Sequence, residues 1–282
     1  MTRSHKNSNG LKVAFFVLFI AVAALAVYIL SRDAPAESQP SPSPSPSEAQ
    51  ETAGPPDVAV DPTPDVTVFT SPPAPSPSEA VAAGPDLAAR EAVGDEFFSD
   101  AAFMGNSLMD GFRLFSGLTT CDYYAATSMT VIGAESKVCI TLDDGRQGTL
   151  LQGLAQKPYG KIYILLGINE IGYEVGAFID YYSDMLDQII ASQPDADIYI
   201  MGLTPVSAAK SRESDTFNMT RIGTYNTALR QLAADKACYY MDLVAALAGP
   251  DGYLSAEETT DGIHLSVKLY QMWLDCVKTH YI

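Results

Sequence analysis

The first hydrophobic feature of the chain is an unbroken apolar run, Val13 to Leu30, 18 residues long and free of charge. As a helix at about 1.5 Å per residue it measures roughly 27 Å, just enough for the apolar core of a bilayer. From Ala101 onward the pattern is different: short apolar runs alternate with stretches in which apolar residues recur every three or four positions. The runs Ala101 to Met104, Asp122 to Thr127, Lys161 to Leu166, Asp197 to Leu203 and Cys238 to Leu243 predict strands. Between them, Phe178, Tyr181, Tyr182, Met185 and Ile189, and later Ile222, Tyr225, Leu229 and Leu232, predict helices with one packing face each. A last helix over Val267 to Lys278 carries the only tryptophan, Trp273. Strands that alternate with helices predict an α/β fold, a parallel sheet covered by helices. Gly133 to Gly148 fits this pattern less well and reads as a small hairpin around Asp144-Gly145.

Composition divides the chain in the same places. Fourteen of the 18 prolines lie between Pro35 and Pro85, leaving Pro158, Pro194, Pro205 and Pro250 for the remainder. The Pro/Ser/Ala-rich and acidic stretch 31–92 has few large apolar side chains to bury, so it cannot offset its ordering entropy and is expected to be a disordered linker. Stretched as polyproline II, it would reach on the order of 150–200 Å, a spacer across a cell envelope. The folded domain is therefore expected over residues 93–282, long enough for one sizeable core.

Charge adds direction and excludes one class of partner. Residues 1–32 carry +4, residues 33–92 carry −9 and residues 93–282 carry −12, within a net −17. Because Arg3, Lys6 and Lys12 precede the apolar run while Arg32, Asp33 and Glu37 follow it, residues 1–12 are expected in the cytoplasm, 13–30 across the membrane and the rest outside. The alternative is a cleaved signal segment and a secreted protein. Against it, the best small-residue site, Ala34-Pro35-Ala36, lies beyond the charged pair Arg32-Asp33. A domain at −12 repels nucleic acid, whose affinity comes mostly from cations on phosphates, so no nucleic-acid partner is expected.

In an open parallel sheet the chemistry collects beyond the carboxyl ends of the strands. Three such loops stand out: Gly105-Asn106-Ser107-Leu108, Gly167-Ile168-Asn169-Glu170 and Asp261-Gly262-Ile263-His264. A serine nucleophile needs a base, the base an orienting acid, and the tetrahedral oxyanion fixed donors. Ser107, His264, Asp261 and Asn169 supply those roles in turn. Of the three histidines, His5 falls in the cytoplasmic segment and His280 two residues from the C-terminus, which leaves His264 as the base.

These three blocks resemble the GDSL or SGNH hydrolases, serine esterases and acyl hydrolases on a three-layer α/β/α, flavodoxin-like fold. Phe103-Met-Gly-Asn-Ser-Leu108 is similar to the family's nucleophile block, Leu166-Gly-Ile-Asn-Glu170 to the block whose Asn lines the oxyanion hole, and Asp261-Gly-Ile-His264 to its D-x-x-H block. The resemblance implies a catalytic Ser107, Asp261 and His264, with the Ser107 N–H, Asn169 and a backbone N–H after the second strand as oxyanion donors. Where the family usually has glycine for that last donor, Ala126-Thr-Ser-Met-Thr-Val131 offers Ser128 as the counterpart. The family's Asp before the nucleophile is Asn106 here, expected to be tolerated, and Glu170 stands where the family commonly has Asp and is read as structural. An α/β-hydrolase would instead show G-x-S-x-G, and Gly105-Asn-Ser107-Leu-Met109 lacks the second glycine.

Cys121, Cys139, Cys238 and Cys276 are either two disulfides, Cys121 with Cys139 and Cys238 with Cys276, or buried free thiols. No C-x-x-C or His-rich cluster points to a metal, and no cofactor is expected. The sum is a membrane-anchored, extracytoplasmic serine esterase acting on a small ester or an acylated glycan of the envelope, through an acyl-enzyme on Ser107. An O-acyltransferase with the same acyl-enzyme and a non-catalytic envelope-binding module are the alternatives.

Overall fold

The computed structural model describes residues 85–282. The expected cytoplasmic segment, the anchor at 13–30 and most of the linker lie outside the described residues. Among those described, no helix is long and apolar enough to cross a membrane.

The chain order is β1 (Ala101–Gly105), α1 (Ser107–Phe115), β2 (Asp122–Ala125), α2 (Val131–Ser136), the two-residue strands β3 (Ile140–Thr141) and β4 (Gln147–Gly148), and α3 (Leu150–Leu154). It continues through β5 (Lys161–Leu165), α4 (Val175–Ser192), β6 (Asp197–Met201), α5 (Ala208–Glu213), α6 (Met219–Asp235), β7 (Tyr239–Met241), α7 (Leu243–Leu247) and α8 (Val267–Thr279). Five strands form one parallel sheet in the order β2-β1-β5-β6-β7, the flavodoxin-like order. All five correspond to the apolar runs in the sequence.

The register of these strands aligns one aromatic residue from each. Tyr123, Phe103, Tyr163, Tyr199 and Tyr239 are direct neighbours across the sheet. Phe103 and Tyr163 stack at 4.5 Å, and Tyr163 and Tyr199 at 4.4 Å. Phe112 of α1 and Trp273 of α8 meet at 4.7 Å, and Phe112 also stacks on Phe103, so α1 and α8 cover this face. On the other side, α4 packs against α2 and α6 through a stripe that buries Phe178, Tyr182, Met185 and Ile189. Tyr181, assigned to that stripe from its spacing, is exposed.

Three expectations need correction. Residues 85–92, assigned to the linker, are packed on the domain. The Tyr240 N–H donates to the Pro85 carbonyl at 2.7 Å, the Asp86 carboxylate pairs with Arg230 at 2.6 Å, and Leu87 lies against the core. Backbone hydrogen bonds from Arg90 and Val93 to Thr279 and Lys278 continue this strap. The proposed hairpin at 133–148 is confined to β3 and β4, because Thr130 caps Gly133 N–H and starts α2 over the first part of the stretch. The two disulfides are absent. All four cysteines are free: Cys238 donates to the Lys236 carbonyl, and Cys276 Sγ lies 3.7 Å from His280 Nδ1.

Candidate active site

The strand order reverses between β1 and β5, and the crevice at that switch point is where such sheets hold their ligands. Ser107 follows β1 and Asn169 follows β5, so the topology alone sets them on opposite sides of one crevice. Asn106 caps α1, accepting from Leu108 N–H at 2.9 Å, which makes Ser107 the first residue of the helix. At that position a backbone N–H has no acceptor within the helix and the positive end of the helix dipole is closest. Asn106 is fully buried and its Nδ2 has no partner.

The structure brings Ser107, His264 and Asp261 together. His264 Nε2 lies 3.0 Å from Ser107 Oγ, and His264 Nδ1 lies 2.7 Å from Asp261 Oδ2. The other oxygen, Asp261 Oδ1, accepts from the N–H groups of Ile263 and His264 at 2.9 and 2.8 Å. Asp261 therefore folds its own loop and orients the imidazole with the same carboxylate. An Nδ1–H donated to Asp261 leaves the Nε2 lone pair facing the serine proton. Burial alone would push the Asp261 carboxyl up, but hydrogen bonds from the His264 ring and from the two backbone N–H groups hold it well below the usual carboxylate range. Gly262 permits this tight loop. Its φ is +85°, and a Cβ there would meet Lys210 Cβ at 2.6 Å and Ser207 Oγ at 2.8 Å. His280 is occupied elsewhere, with Nδ1 2.9 Å from the Cys276 carbonyl.

Across the crevice, Asn169 Nδ2 donates to the Met129 carbonyl at 2.8 Å. One amide hydrogen fixes the side chain on the loop after β2, and the second remains for a ligand. Ser128, in that loop, has φ +55°, in the left-handed region that favours glycine and where the resembled family carries one. Glu170 is buried to 3% exposure, and its Oε1 accepts from the Val131 N–H at the start of α2.

Several residues have supporting roles that the sequence did not signal. The Tyr225 hydroxyl donates to the Glu170 and Tyr173 carbonyls, at 2.6 and 3.0 Å, and Arg221 holds the carbonyls of Ile171 and Tyr173. Both reach in from α6, some 50 positions away in the chain. The Ser207 N–H binds the Gly262 carbonyl at 2.9 Å and Thr259 Oγ1 accepts from Gly262 N–H at 3.0 Å, bracing the histidine loop. A cavity of about 590 Å³ lined by Leu87, Arg230, Tyr240, Met272 and Cys276 contains none of the site residues.

What the crevice can do chemically follows from these positions: a hydroxyl beside an imidazole base, an acid behind the base, and an amide on the loop across the switch point. Comparison with known proteins identifies the family and the fold. The model of the GDSL-like lipase/acylhydrolase family matches residues 103–272. A structure from Streptococcus pneumonia, provisionally described as a platelet activating factor, aligns with TM-score 0.51 at 21% identity, covering 64% of this chain and 82% of its own. A GDSL-like lipase from Bacteroides thetaiotaomicron aligns with TM-score 0.48 at 15% identity, covering 64% and 86%. At such identities the first of these likenesses shows the fold. No curated protein matches the chain.

Proposed function

The chain belongs to the GDSL-like lipase/acylhydrolase family and is an ester-hydrolysing enzyme. We propose that it works through an acyl-enzyme on Ser107, outside the cytoplasm, on acyl esters of envelope carbohydrate. The observation that carries the mechanism is the chain of contacts from Ser107 Oγ to His264 Nε2 at 3.0 Å and from His264 Nδ1 to Asp261 Oδ2 at 2.7 Å.

In the acylation half, Oγ attacks the ester carbonyl carbon while Nε2 takes the serine proton. The carbonyl π electrons move to oxygen, and the Ser107 N–H, the Ser128 N–H and the free amide hydrogen of Asn169 receive the oxyanion. Collapse of the intermediate breaks the bond to the alkoxy oxygen, which leaves as the alcohol with the proton from Nε2. In the second half water replaces the alcohol. Nε2 takes a proton from water, hydroxide adds to the acyl carbon, and Ser107 leaves with that proton restored. Asp261, ionised because its folded carboxyl sits low, offsets the imidazolium charge that appears in each half.

The carbohydrate substrate and the extracytoplasmic location rest on the N-terminal apolar run and the long acidic spacer, which together suit a domain held at a distance from a membrane. Full-length chain incubated with acetylated envelope polysaccharide should release free acetate, and Ser107→Ala should release none. Acetate appearing only on a second sugar, with none free, would favour the O-acyltransferase reading of the same acyl-enzyme.

A further inference from the structure

Glu170 has no step in the reaction above, yet it is the only buried acid among the described residues and lies next to Asn169. Its oxygens are unequal: Oε1 accepts from Val131 N–H, and Oε2 is buried without a partner. Leaving a carboxylate oxygen unsatisfied in the interior costs free energy that a neutral side chain of similar shape would avoid. The contact made by the other oxygen is therefore the feature of interest.

That contact falls on the loop that carries Ser128. The loop is held at four points in sequence: the Ala126 N–H on the Gly105 carbonyl at 3.2 Å, the Met129 N–H on the Ala126 carbonyl at 3.2 Å, the Met129 carbonyl on Asn169, and the Val131 N–H on Glu170. Between the first pair and the last lies Ser128 at φ +55°, a conformation that costs a side-chain-bearing residue roughly 1 kcal/mol or more and persists only where the surroundings impose it. Consecutive residues of the turn after β5 thus grip the loop on either side of Thr130. Glu170 is itself fixed by the Tyr225 hydroxyl on its carbonyl.

We propose that Glu170 is a positioning residue for the oxyanion hole, its carboxylate pinning Val131 N–H so that the Ser128 N–H and the Asn169 amide face the same point. This rests on the reading of Ser128 and Asn169 as oxyanion donors. What the site requires of Glu170 is one acceptor oxygen for the Val131 N–H, the first donor of α2 without an acceptor within the helix. Glutamate reaches that donor from the turn after β5, across the end of β1, which lies between β5 and β2 in the sheet.

The test uses full-length chain and p-nitrophenyl acetate. Glu170→Ala should lower kcat by about 10- to 100-fold with KM within about twofold, the pattern of donors displaced by a fraction of an ångström. Labelling of Ser107 by a fluorophosphonate should slow in proportion. Glu170→Gln, which keeps an acceptor oxygen for Val131, should restore kcat to within about threefold of wild type. Should Glu170→Ala fail to fold, Glu170→Asp gives the same reading, since its carboxylate is drawn back by one methylene. A folded Glu170→Ala or Glu170→Asp protein with wild-type kcat and only a lower melting temperature would overturn the proposal and leave the Ser107 mechanism standing. Wild-type turnover by Ser107→Ala would overturn both.

Discussion

The two walls of the crevice handle their carboxylates in opposite ways. On the histidine wall, Asp261 is 38% exposed, every oxygen contact is satisfied, and its carboxyl is held well below the ordinary range. On the opposite wall, Glu170 is 3% exposed, one of its oxygens has no partner, and burial pushes its carboxyl up to about 7 against the pull of backbone N–H groups. The difference follows from the task of each wall. A group that must face an imidazolium during turnover has to remain charged, which requires hydrogen bonds and some access to water. A group that only holds backbone in place needs shape and one acceptor atom, and its charge is incidental.

If that division is right, the largest effects belong to the proton-transfer wall. Ser107→Ala and His264→Ala should each remove nearly all esterase activity, on the order of 10⁴-fold or more. The double variant should be little worse, because groups that act as a unit are strongly non-additive. Additive losses would mean that the two residues do not work on one step. Next in size is the donor wall. Asn169→Ala should cost about 10²- to 10³-fold in kcat, the usual loss for one oxyanion donor.

Urea midpoints followed from pH 3 to pH 8 sharpen the comparison through stability. Asp261 has a folded pKa below its unfolded value of about 3.9, so it favours the fold at neutral pH and that contribution is lost as pH falls through the folded value. Glu170 has the opposite sign. Its folded form keeps a proton that the unfolded chain has released above about pH 4.3, so stability declines as pH rises from there to about 7. Glu170→Gln should flatten that decline, by on the order of 3–4 kcal/mol at pH 8, whereas Asp261→Asn should leave it in place and blunt the acid-side loss. The smallest effect is expected at the serine turn between the walls. Asn106→Asp keeps the oxygen that caps Leu108 N–H and removes the orphan Nδ2, and activity should stay within about tenfold of wild type.

The histidine wall was legible in the sequence and the opposite wall only in part. Asp261 and His264 stand three apart, so one short motif holds the acid, the base and the glycine that lets them fold together. The strands were equally plain, since the central β1, β5 and β6, buried along most of their length, read as continuous apolar runs, and the half-buried edge strand β2 still carries Tyr123, Tyr124 and Ala125. Glu170 was read as structural, but nothing in the chain could say that its carboxylate spans to Val131, or that Tyr225 and Arg221 would brace its turn from another helix. Ser128 was found only by resemblance, because its left-handed backbone leaves no mark on residue type. The strap 85–92 was hidden by composition: it docks mainly through backbone hydrogen bonds and one ion pair, which apolar patterning does not register. Tyr181 shows the converse, an aromatic residue close to the packing stripe that the turn of α4 carries out to solvent.

The claim on which all of this depends is that Ser107 is the activated nucleophile, and a fluorophosphonate probe reports that directly by bonding covalently to a serine whose hydroxyl a neighbouring base deprotonates. Wild-type protein should take up a single label, mapped by peptide mass to Ser107, with labelling lost in Ser107→Ala and strongly slowed in His264→Ala. A folded wild-type chain that remains unlabelled, or that carries the label on a different serine, would contradict the account.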